Sequence, residues 1–353
     1  MQKVKAEIHL KRIRQNARAF KTLTNAKLCA VVKADAYGHG AAEIACALSG
    51  VADCFAVSLV DEGLALRAAA CGKDILVLTP PLCDEEIYAA AKNGFILTVS
   101  DLRTARLIVT VCQRYAVSVR VHLKVNTGMN RYGMTAPALG KTCKYLQGAP
   151  CVKVEGIYSH LYECNRQTAA LQRQRFLRCQ RVCERYFKGL IAHLSATYGA
   201  LLGKDFAFDM IRVGLGLYGY LPDGAEDLPQ ATVSSLRLQK GMTVYASVAV
   251  NRKYSFGGAG YGKPRRTGER LSVVRLGYAD GFARTRENGV CDYENNANNL
   301  CMDACIRAKN ERAGKELAVL TDAAETAKAL GTISYEVLCN ATRRAERIYD
   351  ERD

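Results

Sequence analysis

A chain of 353 residues, 49% of them hydrophobic, is long enough for one large domain or two ordinary ones with full cores. No apolar run approaches the roughly 20 residues that span a bilayer, and Met1-Gln-Lys-Val-Lys-Ala-Glu-Ile8 lacks the apolar centre of a secretory signal, so neither a membrane partner nor export is expected. Fifteen cysteines, an odd number without a C-x-x-C pair, read as reduced thiols of a cytoplasmic protein rather than a disulfide framework, and the net charge of +16 is split among Arg173–Arg185, Lys263–Arg270 and Arg343–Arg347 instead of forming one aromatic-laced stripe, so no nucleic-acid partner is expected.

In chain order, Ile8–Leu23 carries a helical stripe of Leu10, Ile13, Ala17 and Phe20. Residues 28–32 are a short, partly β-branched apolar run, which predicts a buried parallel strand. Ala41–Leu48 reads as a helix ended by Ser49-Gly50. Cys54–Val60 is the next strand, Asp61–Ala70 a helix stopped at Gly72, Ile75–Leu78 a strand and Asp84–Lys92 a helix. Phe95–Val99 is a strand, and a helix beginning at Ser100 runs to Tyr115. Ser118–Val125, Val152–Tyr158 and Leu190–Leu194 are strands that alternate with helices over Ala136–Leu146 and the basic Thr168–Phe187. Asp209–Tyr218 is the last unit. About eight strand-then-helix units fit a (β/α)8 barrel, although a doubly wound sheet produces a similar string.

After Leu221-Pro-Asp-Gly the texture changes. Thr232–Val250 and Leu271–Leu276 are β-branched and alternating, which predicts an all-β second domain. The fold class expected is therefore α/β, a barrel over residues 1–225 followed by a β domain over 226–353, with residues 1–8 able to pair with the latter.

Barrel enzymes place their chemistry at the carboxyl ends of strands. Lys33 ends the first barrel strand, and a lysine pressed into such a place lowers its pKa or finds a partner. Asn126–Arg131 follows the fifth, Tyr158-Ser159-His160 ends the sixth, His193–Thr197 follows the seventh, and Arg212 sits at the eighth. Each alone reads more simply as a structural histidine or a loop charge; together they argue for one shared mouth.

The string Ala30-Val-Val-Lys33-Ala-Asp-Ala-Tyr37-Gly-His-Gly40 resembles the cofactor-lysine motif of the alanine racemases, A-V-V-K-A-N-A-Y-G-H-G, with Asp35 in place of Asn. The likeness recurs in order over nearly the whole chain. Leu123-Lys124-Val-Asn-Thr-Gly-Met-Asn-Arg131 is similar to L-K-V-D-T-G-M-x-R, and Glu155-Gly-Ile-Tyr-Ser-His160 to E-G-I-x-S/T-H, after which Leu161-Tyr-Glu-Cys departs from the usual small residues. Ile211-Arg212-Val-Gly214-Leu215-Gly-Leu-Tyr218-Gly resembles V-R-x-G-I-x-L-Y-G. In the second domain Gly258-Ala-Gly-Tyr261-Gly, Gly277-Tyr278-Ala-Asp-Gly281, Cys301-Met302-Asp303 and Tyr335-Glu-Val-Leu-Cys resemble x-x-V-G-Y-G, G-Y-A-D-G, C-M-D and Y-E-x-L-C. The segment before Cys301 is Asn-rich and shorter than the family's N-G-x-x-x-P segment.

The resemblance implies an isomerase that interconverts L- and D-alanine with pyridoxal 5′-phosphate (PLP), supplies D-alanine for cell-wall peptidoglycan, and works as a homodimer without a metal. It implies that Lys33 carries the cofactor and acts as one base, and that Tyr261 acts as the other across the dimer interface. Tyr37, Thr197, Tyr335 and the amides at Gly214 and Leu215 would hold the phosphate. Arg212 would bond the pyridine nitrogen, and His160 would lie between it and the tyrosine base. Arg131 would contact the phenolic oxygen and the substrate, oriented by Lys124 as a carbamate. Met302 would hold the substrate carboxylate, and Tyr278 would line the entrance. A serine or broad-specificity racemase and a non-catalytic PLP-carrying regulatory protein are the alternatives. The second domain argues against the regulatory protein, because such proteins resemble only the barrel half.

Overall fold

In the computed structural model, which describes residues 4–69, 72–261, 264–283, 300–307 and 309–352, the chain divides into two compact units. One comprises Ile13–Ala36 and Ala41–Gln239; the other comprises Met1–Arg12, Tyr37–Gly40 and Lys240–Asp353. The Asn-rich stretch before Cys301 lies outside the described residues, as do Gly262 and Lys263.

The strands are β1 (Lys5–His9), β2 (Lys27–Val31), β3 (Cys54–Val57), β4 (Asp74–Val77), β5 (Ile96–Val99), β6 (Val119–Lys124), β7 (Val152–Tyr158), β8 (Ile191–His193), β9 (Met210–Val213), β10 (Met242–Lys253), β11 (Arg270–Val274), β12 (Cys305–Arg307), β13 (Glu316–Leu320) and β14 (Glu346–Asp350). In the larger unit eight parallel strands follow the order β8-β7-β6-β5-β4-β3-β2-β9. Between β9 and β8 only single backbone bonds close the ring, Asp209 N to Ala192 O at 3.0 Å and Arg212 N to Ser195 O at 2.9 Å. The result is the expected α/β barrel, nearly closed.

Buried parallel strands are apolar on both faces, and β2 and β5 are. Leu28, Cys29 and Ala30 of β2, and Leu97 and Val99 of β5, have no exposed surface. The helix Leu10–Thr24 presents Ile13, Ala17 and Phe20, four and three residues apart, to this core. Phe20 is fully buried, a burial that stabilises by about 1.5–3 kcal/mol. The basic helix Arg166–Cys183 buries Ala169, Gln172, Phe176, Cys179 and Cys183 and leaves Arg175, Arg178 and Arg181 to solvent. Its charge is thus that of a solvated face.

The larger unit runs to Gln239. Buried Asn16 donates to Gln239 O at 2.8 Å and accepts from Gln239 N at 2.9 Å, clamping this segment to the barrel's first helix. Part of the expected Thr232–Val250 strand is instead the helix Gln230–Leu236. Arg237, in the left-handed region at φ 47°, ends it before β10 begins. A β-branched pair, Thr232-Val233, suggested a strand, but a polar surface segment has no sheet edge there to pair with.

The smaller unit is strand-rich, with the order β12-β11-β10-β1-β14 and β13 also on β10. Strand β1 runs antiparallel to β10 and parallel to β14, so the chain's first strand does pair within this unit. Two helices, Ala323–Leu330 and Ser334–Ala341, supplement the all-β expectation. Both glycines of Gly277-Tyr-Ala-Asp-Gly281 are dictated by close approach. A Cβ at Gly277 would lie 2.0 Å from Met302 O, and one at Gly281 1.8 Å from Asn340 O.

Candidate active site

Lys33 follows β2 directly and opens an unusual turn. Ala34, Asp35 and Ala36 all adopt left-handed conformations, with φ of 50°, 51° and 54°. For L-residues this costs roughly 1–2 kcal/mol each, and such strain persists only where the surroundings over-determine it. Here they do. Glu62 accepts from Ala34 N at 2.7 Å and from Ser58 N at 2.6 Å, and Ala36 N donates to Val32 O at 2.9 Å. Asp35 Oδ1 accepts from Ala41 N at 2.8 Å, at the start of the helix Ala41–Leu48, where a carboxylate also meets the helix dipole favourably. The substitution of Asp for Asn is therefore accommodated as a cap. Glu62, which the sequence reading passed over, is marked only by its place two residues into a helix.

Across the barrel mouth, Lys124 ends β6 and is buried, its Nζ 4.3 Å from the centre of the Tyr158 ring. Burial first, then the Arg212 and Arg131 charges, push its pKa well below the usual lysine value. Beyond Lys124 the Asn126–Arg131 loop is tied by one amide. Asn126 Oδ1 accepts from Gly128 N at 3.0 Å and Asn130 N at 3.2 Å, while its Nδ2 donates to Asn130 Oδ1 at 2.8 Å. A carboxylate could not supply that last bond, which accounts for Asn where the family motif has Asp. Arg131 closes the loop at the surface, its guanidinium 5.9 Å from the Tyr132 ring.

Arg212, on β9, is 3% exposed. Its Nη1 donates to His193 Nδ1 at 2.8 Å and His193 O at 3.1 Å; its Nη2 donates to Ser159 O at 2.6 Å and Leu194 O at 3.1 Å. His160 Nδ1 lies 3.4 Å from the same Nη2. Among the described residues no carboxylate pairs with this buried guanidinium. His160 is held well below the ordinary histidine pKa by burial, then by Arg212, Lys124, Arg131 and Lys33, which places Lys33 in the same electrostatic neighbourhood. Thr197 Oγ1 accepts from Gly216 N at 3.1 Å, bringing Thr197 to the turn that begins at Gly214 and Leu215. Tyr218 OH donates to Val31 O at 3.2 Å and ties that turn to the end of β2.

In the strand-rich unit Tyr37 and Tyr335 come together, their ring centres 5.8 Å apart. Gly38 O accepts from Thr342 Oγ1 and Arg347 Nε, both at 2.9 Å, which holds the Tyr37–Gly40 segment against the helix bearing Tyr335. Tyr278 and Met302 are joined through backbone, with Tyr278 N on Cys301 O at 3.1 Å and Ala279 N on Met302 O at 3.0 Å. Arg344 clasps the pair of loops through Asp280 at 3.1 Å and Asp303 at 2.9 Å. Tyr261 is 74% exposed and Met302 55%. One residue of the barrel interior was not singled out from sequence, His122, which lies on β6 between the apolar Val121 and Leu123.

The eight-stranded barrel's mouth gathers lysines, arginines and imidazoles, with no carboxylate on its buried guanidinium among the described residues, a cationic setting suited to an anionic ligand. Comparison with known proteins narrows this class. The family model described as alanine racemase, N-terminal domain, matches residues 8–222, and that described as alanine racemase, C-terminal domain, matches residues 241–349. An alanine racemase of Lactobacillus delbrueckii subsp. bulgaricus is 33% identical over 97% of this chain and 96% of its own. The solved structure of the Clostridium difficile 630 alanine racemase superposes with a TM-score of 0.88 at 28% identity, covering 99% of this chain and 96% of that one. That of the enzyme from a D-cycloserine-producing Streptomyces lavendulae does so with 0.88 at 26%, covering 99% and 97%. The chain belongs to the alanine racemase family.

Proposed function

We propose that this chain is a PLP-dependent alanine racemase, working as a homodimer in the cytoplasm and supplying D-alanine for peptidoglycan. The observation that carries the reading is the barrel mouth, where Lys33 opens a strained turn in the electrostatic neighbourhood of His160 and, among the described residues, no carboxylate pairs with buried Arg212. The residues fit PLP. Its aldehyde, ring nitrogen and phosphate call for an amine, a donor that keeps its proton and a set of hydroxyls and amides, and the mouth offers Lys33, Arg212, and Thr197 with the Gly214–Leu215 turn. Bound PLP supplies an electron-withdrawing ring that acidifies the substrate's α-proton.

The chain's own residues do the rest. Lys33 Nζ removes or returns that proton on one face and the Tyr261 hydroxyl on the other, so the two directions exchange acid and base roles. Arg212 donates to the ring nitrogen without surrendering its proton, which limits how far charge builds on the ring and suppresses side reactions. Lys124, its pKa pushed well below the ordinary lysine value by burial and then by the neighbouring arginines, is an amine suited to take up CO2, releasing a proton. Its carbamate would place a negative charge next to Arg131 and orient it toward the substrate. His160 steadies Arg212, and within the strand-rich unit the paired Tyr37 and Tyr335 offer hydroxyls of the kind a phosphate accepts from. The exposure of Tyr261, Tyr278 and Met302 suits groups offered to a second copy of the chain. Among the described residues no helix is long and apolar enough to cross a membrane, and all the described cysteines are free thiols, which supports a reducing compartment.

The test is direct. Purified protein reconstituted with PLP is expected to be yellow and to convert D-alanine to L-alanine. Colourless protein that PLP cannot reconstitute would refute the reading, and yellow protein inert toward alanine and serine would favour a regulatory PLP carrier.

A further inference from the structure

We propose that His193 and His122 are positioning residues for Arg212, forming a one-way chain of two neutral imidazoles that leaves the guanidinium Nε–H as the group presented to the cofactor ring. The proposal rests on the reading of Arg212 as the ring-nitrogen donor.

The argument begins with the five N–H groups of an arginine. Four are consumed by the protein: His193 Nδ1 and His193 O take those of Nη1, Ser159 O and Leu194 O those of Nη2. Among the described residues none takes the Nε–H. The terminal N–H groups of Arg212 are thus all taken, with His160 Nδ1 a further, longer contact of Nη2 at 3.4 Å, and a single donor is left over for a ligand.

The direction of the chain follows without further assumption. A guanidinium only donates, so His193 Nδ1 must accept and the ring's hydrogen must sit on Nε2. His193 Nε2 lies 2.9 Å from His122 Nδ1, so His122 accepts in turn and carries its own hydrogen on Nε2. That last atom is buried and, among the described residues, has no hydrogen-bond partner. It faces Gly156, where a Cβ would come within 2.7 Å. The chain thus runs from Arg212 inward and stops against a glycine. A charged form of either ring would place a second donor against a donor and break it. Burial, then the charges of Arg120 and Arg212, push His122 down to about 3, and burial with Arg212 pushes His193 well below the ordinary value.

The ring plane of His193 is fixed as well. It stacks on Tyr158 with centres 4.8 Å apart and planes 1° from parallel, and Tyr158 OH is pinned to Thr98 Oγ1 at 2.6 Å. An imidazole accepts from Arg212 without cancelling its charge, as a carboxylate would, so the full cation remains available to the lone pair of a ring nitrogen.

The experiment reads the tautomers first, by 15N-resolved histidine spectra of the purified protein with and without PLP. Both rings are expected to be neutral through the neutral pH range, with hydrogen on Nε2 and bare Nδ1. Three variants then read the positioning. His122→Leu and Gly156→Ala should each lower kcat about tenfold, with KM for D-alanine and PLP content unchanged and the visible band of the bound cofactor shifted. His122→Asn, which keeps an acceptor near Nδ1, should restore both kcat and band position. An Nδ1-protonated or charged ring, or a His122→Leu enzyme with parental kcat and spectrum, would overturn the proposal. Should the variants fail to fold, the spectra of the unaltered protein still decide the chain's direction. Arg212→Gln with an unchanged cofactor band and kcat would instead overturn the ring-nitrogen reading, and the proposal's functional part with it, while the tautomers would stand as read.

Discussion

The barrel mouth and the strand-rich unit hold their functional side chains in opposite states. In the barrel, Lys124 and Arg212 are buried, and Arg212 alone makes four donor bonds to fixed acceptors. In the strand-rich unit Tyr261, Tyr278 and Met302 are exposed, and backbone bonds join the Tyr278 and Met302 segments. The contrast teaches a division of labour. On the function proposed above, the barrel side of the site is organised within one chain by burial and hydrogen bonds, and the tyrosine base would be completed by a second copy that supplies a low-dielectric setting for its proton transfers.

The comparison breaks most severely at Lys33. Lys33→Ala should retain no covalently held PLP and lose racemisation by on the order of 10³-fold or more, read from the visible spectrum and the alanine assay. Tyr261→Phe strikes the other half. It should bind PLP normally yet lose about 10²–10⁴-fold in at least one direction, with α-deuterium incorporation from solvent reporting which. Dilution of the unaltered enzyme should lower specific activity if the exposed tyrosine serves a second copy; a Tyr261→Phe enzyme that racemises normally would remove that assignment.

Smaller effects sharpen the contrast through stability. Gly281→Ala must place a Cβ 1.8 Å from Asn340 O at φ 97°, and should cost about 3 kcal/mol or more in denaturant unfolding. Acid should act on the barrel first. His122 is neutral in the fold with its pKa lowered from 6.5 to about 3, so the unfolded chain binds its proton at higher pH than the folded one. The stability this provides is complete above pH 6.5 and is lost as pH falls toward 3, at up to ~1.4 kcal/mol per pH unit. His122→Asn should flatten that slope in acid titrations followed by circular dichroism. At the bottom of the scale, Asp35→Asn keeps the cap on Ala41 and forfeits only the charge–dipole attraction, about 0.3–1 kcal/mol in thermal or denaturant unfolding.

Much of the barrel could be read from the chain because local chemistry and global fold agree there. The helices Ala41–Leu48 and Asp84–Lys92 and the strand Val152–Tyr158 lie where periodicity and turn residues put them, and the lysine at the end of β2 was conspicuous as a charge closing an apolar run. The helix Gln230–Leu236 was not legible, since Thr-Val pairs favour strands only where a sheet edge is available. A single buried amide, Asn16, also reaches over two hundred residues along the chain to hold Gln239, a tie that no local pattern encodes.

The sequence by itself determined the periodicities, the motifs and hence the list of chemically competent residues. Only the tertiary structure decided their states. The left-handed run after Lys33 exists because Glu62 and Asp35 find distant backbone partners; the pKa of Lys124 falls well below the ordinary value because burial and then two arginine charges disfavour its ammonium form; and the hydrogen on His122 is assigned by a guanidinium from the far end of the barrel sheet. Charge, protonation and strain depend on what lies within a few ångströms in space, and neighbours in space are what a linear string of residues leaves unspecified.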